Sequence, residues 1–160
     1  MRMRVGQGID VHPLVADRPL ILGGTTIAHE FGLEGDSDGD VLTHAIIDAM
    51  LGAAGLGDIG TWFTVEEVAR LQGSSIGMLE QVRGMVQTAG YQIGNVDATV
   101  VAQRPRLVPH VSAMREGLAK ALRVVSEQIS IKATTTDHLG ALGRQEGIMA
   151  LAVVLLQCSE

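Results

Sequence analysis

The sequence predicts an α+β fold: a mixed sheet with helices on one face. Three observations carry this. Short runs with strand alternation and longer runs with helical spacing follow one another irregularly, which favours a mixed sheet over a doubly wound parallel one. No internal repeat and no low-complexity linker interrupts the 160 residues, so the chain reads as one domain over 1–160. Hydrophobic residues make up 46% and charged residues 19%, which supplies a core and argues against disorder.

Residues 3–12 read as a strand. Within its stretch R-V-G-Q-G-I-D-V-H, side chains two apart share a face, so Asp10 and His12 point one way and Ile9 and Val11 the other. Pro19 to Ile27 reads as a hairpin turning at Gly23-Gly24. Gly32 to Gly39 is a Gly/Asp/Ser loop leading into a helix, with Ser37 or Asp38 as the expected N-cap. From Asp40 to about Ala54, Leu42, Ile46, Met50 and Ala53 recur at helical spacing. A second helix is expected over 75–89, stopped by Gly90. Tyr91 to Ala102 alternates as a strand, with Val96, Ala98, Val100 and Ala102 on one side. Pro109 suits the first turn of a helix over 109–122. Gln128 to Thr134 and Ile148 to Cys158 read as two more strands. The last is apolar on both faces, the pattern of a strand buried centrally or at a subunit interface.

Composition narrows the function classes. Aromatic residues are 2%, leaving few rings to stack on bases, and the formal charge of −6 weighs against nucleic acid or an anionic membrane as partner. The single cysteine, Cys158, excludes a disulfide framework and a cysteine-only zinc site, so any metal is held by His and carboxylates. The N-terminus lacks the apolar region of a signal peptide, and the longest apolar run, Ile148 to Leu156, is about half a membrane span. The expectation is a cytoplasmic protein with no membrane and no nucleic-acid partner.

Three clusters can carry chemistry. The first joins the strand pair Asp10 and His12 to a helical stripe, Asp40, His44 and Asp48, spaced one turn apart. Two imidazoles and a carboxylate with an open fourth position make a catalytic zinc site, with Asp48 placed to orient His44. Taken alone, the same residues are also a polar strand end and a surface histidine. The second cluster is Lys132-Ala133-Thr134-Thr135-Thr136-Asp137, a run of hydroxyls and a carboxylate suited to phosphate oxygens and a divalent cation. Its plainer reading is a threonine-rich strand end with a turn-capping Asp137. The third is Gly140 to Gly147, where Arg144 and Glu146 either bind phosphate or pair with each other. Arg104 and Arg106 around Pro105 pose the same choice between phosphate and solvent.

The blocks R-V-G-Q-G-I-D-V-H, D-S-D-G-D-V-L-T-H-A, L-G-A-A-G-L-G-D-I-G, N-V-D-A-T-V-V-A-Q-R-P-R-L-V-P-H, K-A-T-T-T-D and G-R-Q-E-G-I stand in an order and spacing that resembles the 2-C-methyl-D-erythritol 2,4-cyclodiphosphate synthase family over nearly the whole chain. That resemblance implies a homotrimer with active sites between subunits. It implies conversion of 4-diphosphocytidyl-2-C-methyl-D-erythritol 2-phosphate to the cyclic diphosphate and CMP, in the non-mevalonate route to isoprenoids. It implies Zn²⁺ on Asp10, His12 and His44, with a substrate phosphate in the open position, and Mg²⁺ or Mn²⁺ on the nucleotide phosphates held by Asp137. Thr134, Thr135 and Thr136 match the phosphate cradle, and Thr135 is placed to stabilise the transition state. Ala102, Gln103, Arg104, Pro105, Arg106, Leu107 and Val108, with Ala133, match the cytidine pocket. Asp58, Ile59 and Gly60 match the segment touching the methylerythritol. Asp36 and Ser37 match diphosphate contacts, Asp36 at a catalytic position. Arg144 with Glu146 matches a ring at the trimer axis, beside a central cavity that takes isoprenoid diphosphates.

The chain departs from the family pattern in places. Asp36 stands where a His usually contacts the diphosphate, and a carboxylate about 4 Å from a phosphate charge is repelled by roughly 4 kcal/mol at an effective dielectric near 20. The expectation is therefore that Asp36 serves the helix start instead. Trp62 to Glu67 replaces a family run F-P-D, with Glu66 as a candidate substitute, and Ala141 replaces a common Phe. These departures keep open an alternative: a catalytically weakened metal- and phosphate-binding trimer that binds isoprenoid diphosphates. An unrelated zinc hydrolase is a third reading, but no glutamate is obviously placed as a base beside the histidines.

Overall fold

Five strands share one sheet in the computed structural model, which describes residues 3–158. In chain order the elements are β1 (Met3–Ala16), β2 (Leu20–Leu22), β3 (Thr25–Ile27), β4 (Phe31–Leu33), α1 (Val41–Ala54), α2 (Ile59–Trp62), α3 (Val65–Arg70), α4 (Ser75–Thr88), β5 (Tyr91–Val101), α5 (Val111–Leu122), β6 (Ile129–Thr134), α6 (Gly140–Gly143) and β7 (Gly147–Cys158). The sheet runs β4-β1-β7-β5-β6, with β2 and β3 as a separate hairpin. Only β5 and β6 pair in parallel; the other neighbours are antiparallel, so the sheet is mixed as expected. The outer residues of the 1–160 reading, 1, 2, 159 and 160, lie outside the described ones.

β7 is the middle strand, in agreement with its two apolar faces. Ile148, Ala150, Ala152, Val154 and Leu156 point into the core. α1 lies across β1 and β7 on that same side, α4 reaches β5 and α5 reaches β6. The helices thus cover one face. The other face is bare in a single chain, with Val5 68%, Ile9 54%, Val11 58% and Val153 45% exposed. No helix among the described residues is long and apolar enough to cross a membrane.

Gly6 and Gly8 explain how α1 comes so near β1. They sit on the strand face that also carries Asp10 and His12. A Cβ on Gly8 would stand 1.9 Å from the Ala45 carbonyl oxygen, and one on Gly6 would stand 1.9 Å from that of Ala49. The glycines let the helix backbone rest on the strand, and α1 is buried nearly all round, with Leu42, Ile46, Ile47, Met50 and Leu51 fully enclosed. Each such side chain contributes about 1.5–3 kcal/mol through burial.

Several boundaries differ from the sequence reading. β1 continues to Ala16 because Leu14 to Ala16 pair with β4. Val108–His110 forms a 3-10 turn, so Pro109 precedes α5 instead of opening it. The N-cap of α1 is Asp40, not Ser37 or Asp38. Its buried carboxylate accepts from the Thr43 backbone and hydroxyl, and from the backbone N–H groups of Gly23 and Gly24. Burial pushes the Asp40 carboxyl up, and those bonds from Thr43, Gly24 and Gly23 oppose the shift. The glycines have φ of 56° and 71°, the twin positive angles of a tight hairpin turn. Asp40 therefore ties the hairpin to the helix start.

Candidate active site

The close seat of α1 on β1 brings His44 against the strand pair. His12 Nε2 and His44 Nδ1 each lie 3.0 Å from Asp10 Oδ2. The remaining nitrogens reveal where the protons sit. His12 Nδ1 faces the Glu34 carbonyl, an acceptor only, so this nitrogen is the donor. His44 Nε2 is 2.8 Å from Ser75 Oγ, whose own proton goes to the acceptor-only Asp38 carboxylate. Ser75 must then accept, and His44 Nε2 donates. Both imidazoles are left with lone pairs on the nitrogens that face Asp10.

Three acceptor atoms converge with no proton required between them, and these ligand atoms all lie within 4.8 Å of one another. That donor set suits a cation, and Asp10, His12 and His44 can hold a metal ion. A protonated imidazole can take the ion's place beside Asp10, and the local field is then that of an ion pair. Burial alone would raise the Asp10 carboxyl, but bonds to His12 and His44 outweigh it and hold the group below the usual carboxylate range. His12 is pushed up, chiefly by Asp10, with burial opposing.

An open cleft of about 200 Å³ adjoins the triad. Asp36, Ser37, Asp48, Ile59 and Gly60 line it with the triad, and so do Phe63, Val68 and Met78. Asp48 does not orient His44. Its carboxylate accepts from the Ile59 backbone at 2.7 Å and so positions the start of α2. Burial, with the charges of Asp58 and Asp10 nearby, raises the Asp48 carboxyl. Asp36 is exposed on this cleft, and the bonds that hold the helix start come from Asp40. The expectation that Asp36 serves the helix start is therefore corrected.

A second cavity, about 280 Å³, is lined by Ala102 to Val108, Ala133, Thr134 and Thr135. Asp10 pairs with Ala150, Ala150 with Val100, and Val100 with Ala133, so both cavities lie at the same end of the sheet. Three strand spacings separate them, roughly 14–15 Å. Gln103 Oε1 accepts from the His138 backbone at 3.0 Å and ties the two loops of this cavity together. Thr136 and Asp137 stand just beyond its lining: the Thr136 hydroxyl donates to the Leu139 carbonyl, and the Asp137 carboxylate accepts from Thr135 at 3.3 Å.

Other candidates stand apart. Asp58 caps α2 through Thr61 and is not in the cleft lining. Arg144 donates to Glu146 at 2.6 Å and lines neither cavity. Glu66 lies in the exposed first turn of α3, capped by Thr64, while Phe63 and Val68 supply the cleft wall. The sequence reading missed Ser75 and Asp38 as the relay behind His44, and Phe63, Val68 and Met78 as the apolar wall. The one available signal was Ser75 at the first turn of an expected helix.

The fold and site define an α+β enzyme with a potential metal-binding triad beside an open cleft. The YgbB family model matches residues 3–157, and the chain belongs to this family. The 2-C-methyl-D-erythritol 2,4-cyclodiphosphate synthase of Nostoc sp. is 53% identical over 160 residues, covering 100% of this chain and 97% of that one. The IspF of Plasmodium falciparum, solved as a CDP complex, superposes with a TM-score of 0.87 at 33% identity, over 99% of this chain and 97% of that one. The bifunctional IspDF of Campylobacter jejuni gives 0.92 at 39% identity, over 99% of this chain and 43% of that longer one.

Proposed function

We propose that the chain converts 4-diphosphocytidyl-2-C-methyl-D-erythritol 2-phosphate to 2-C-methyl-D-erythritol 2,4-cyclodiphosphate, releasing CMP, in the non-mevalonate route to isoprenoids. The observation that carries this is that the chain holds both parts of such a site: three converging metal-ligand atoms in one cavity, and the Ala102–Val108 loop with Thr134 and Thr135 in another. An oxygen of the 2-phosphate attacks the β-phosphorus, and the β-phosphorus to bridging-oxygen bond breaks. CMP departs with that oxygen and its electron pair. No base is needed, since a phosphate oxygen is already ionised near neutral pH.

Asp10, His12 and His44 hold Zn²⁺, and Asp137 holds Mg²⁺ or Mn²⁺; when bound, such ions neutralise adjoining phosphates and are worth several kcal/mol. Residues Ala102 to Val108 and Ala133 hold the cytidine, where backbone groups read the base. Thr134 and Thr136 hold phosphate oxygens, and the Thr135 hydroxyl serves the charge that develops in the transition state. Asp58, Ile59 and Gly60 hold the methylerythritol, and Ser37 a phosphate oxygen. The test is incubation of the purified chain with the cytidyl substrate and Mg²⁺. CMP and cyclic diphosphate are expected; no CMP with either Mg²⁺ or Mn²⁺ overturns the reading.

The working unit in this proposal is a cytoplasmic homotrimer with each site shared between neighbours. The bare apolar sheet face supports it, because Val5, Ile9, Val11 and Val153 need a cover. Arg144 and Glu146 then ring the axis beside a cavity for an isoprenoid diphosphate. Light scattering should give about three times the 16.9 kDa chain mass. A stable monomer at micromolar concentration contradicts the shared site.

Asp36 is the proposal's variable part, because it places a carboxylate on the cleft wall. Asp36→His exchanges that repulsion for a donor, and a hydrogen bond to a charged group is worth about 1.5–3 kcal/mol. The expected result is CMP release faster by about tenfold or more, with the denaturation midpoint nearly unchanged because Asp40 caps the helix. A loss of stability with unchanged turnover would return Asp36 to a structural role.

A further inference from the structure

The far end of the sheet holds a separate concave site. Tyr91 opens β5 while Val100, in the Asp10 row, lies near its other end, roughly 30 Å along the strand. Between the ends of α4 and α5 and the start of β5 is a cavity of about 260 Å³. Its polar lining is Arg83, Gln87, Tyr91, Gln92, Arg123 and Gln128, and among the described residues no carboxylate lines it. In a chain with net charge −6, two guanidinium groups with no acid beside them among the described residues create a local field of the opposite sign.

Among the described residues the neighbouring groups leave that charge unanswered. Arg83 Nη1 donates to the Ala121 carbonyl at 2.9 Å, and Arg83 Nε is buried without a protein acceptor. Among the described residues neither Arg83 nor Arg123 forms an ion pair. The carbonyls at the end of α5 are already occupied: Ala119 accepts from Val124, Lys120 from Arg123 and Ala121 from Arg83. Gln128 is also committed, donating to the Ile93 and Gly94 carbonyls and accepting from Val125. Arg123 occupies the left-handed cap of α5 at φ 55°, where glycine is the usual residue, so an arginine sits there against its backbone preference.

We propose that Arg83 and Arg123 form an anion pocket for a small oxyanion, a phosphate or a carboxylate group. The planar guanidinium fork matches both. Gln87, Gln92 and the Tyr91 hydroxyl add neutral hydrogen-bonding groups at the rim. The pocket does not depend on the catalytic reading given above.

The test is titration calorimetry of the 160-residue, chelator-treated chain with inorganic phosphate and, separately, with succinate. Saturable binding of either is expected; succinate binding marks a general oxyanion site and phosphate binding alone a phosphate site. Arg123→Gln is the main variant, because that exposed side chain makes no hydrogen bond among the described residues and its loss leaves the fold intact. It should weaken binding about tenfold to a hundredfold while CMP release stays unchanged. Thr135→Ala and Arg144→Gln alter the phosphate-binding candidates at the other end and should leave the titration alone. Binding that is lost in either of those variants but kept in Arg123→Gln overturns the proposal. So does the absence of saturable binding by both probes.

Discussion

Replacing His44 with Ala should remove the metal proposed for the triad and lower CMP release by about a thousandfold or more. Two ligands remain, and Asp10 loses one of the two imidazoles that hold it below the usual carboxylate range. The loss corresponds to about 4 kcal/mol of metal-assisted stabilisation, at roughly 1.4 kcal/mol per tenfold. Metal analysis of the folded variant checks the first part, and full stoichiometry there refutes the assignment. Ser75→Ala is the graded companion. It leaves all three ligands in place but removes the group that fixes the His44 proton, so metal affinity should fall by about 10–100-fold.

Gly8→Ala should cost more than about 4 kcal/mol, a large share of a domain's stability. The added Cβ meets the Ala45 carbonyl oxygen at 1.9 Å and the Ala49 nitrogen at 2.7 Å, and both are backbone atoms of a buried helix that cannot swing aside. Gly84→Ala in α4 is the control. Nothing lies within 4 Å of its Cβ position, and alanine is the better helix former by about 1 kcal/mol, so that variant should gain stability. Denaturant midpoints for the two variants decide the matter. A Gly8→Ala midpoint close to that of the parent chain would mean that α1 does not need the glycine seat.

The same pair of glycines shows where sequence reading stops. Asp10 and His12 were legible because a strand repeats every two residues, and His44 because a helix repeats near four. Those are local rules, and they also gave the hairpin at Gly23-Gly24, the helix over 75–89 and the central last strand. Gly6 and Gly8 share the face of the metal residues, yet nothing local says that another backbone rests on them. Asp40 reads as one more polar residue in a helical stripe; its bonds to Gly23 and Gly24 span the chain and override that stripe. Ser75 supports His44 across an intervening segment, with no spacing to announce it. The short α3 was hidden for another reason: Trp62 to Glu67 departs from the family run and so has no template there, whereas Thr64 followed by Glu66 and Glu67 makes a capped helix start. The cavity around Ala102 to Val108 contains the residues that the resemblance assigned to cytidine, while Asp58, Thr136, Asp137 and Arg144 lie outside both linings.

The bare sheet face has a practical consequence for handling the protein. A chain leaving the ribosome, or emerging from denaturant, has an apolar surface that the completed monomer does not cover. On the trimer proposed above, folding is finished only by encounter, and encounter slows as the solution is diluted. Dilution is the usual remedy against aggregation during refolding. Here it prolongs the interval in which Val5, Ile9, Val11 and Val153 face water, so recovery should peak at an intermediate protein concentration, and coexpression at moderate levels should outperform dilute refolding.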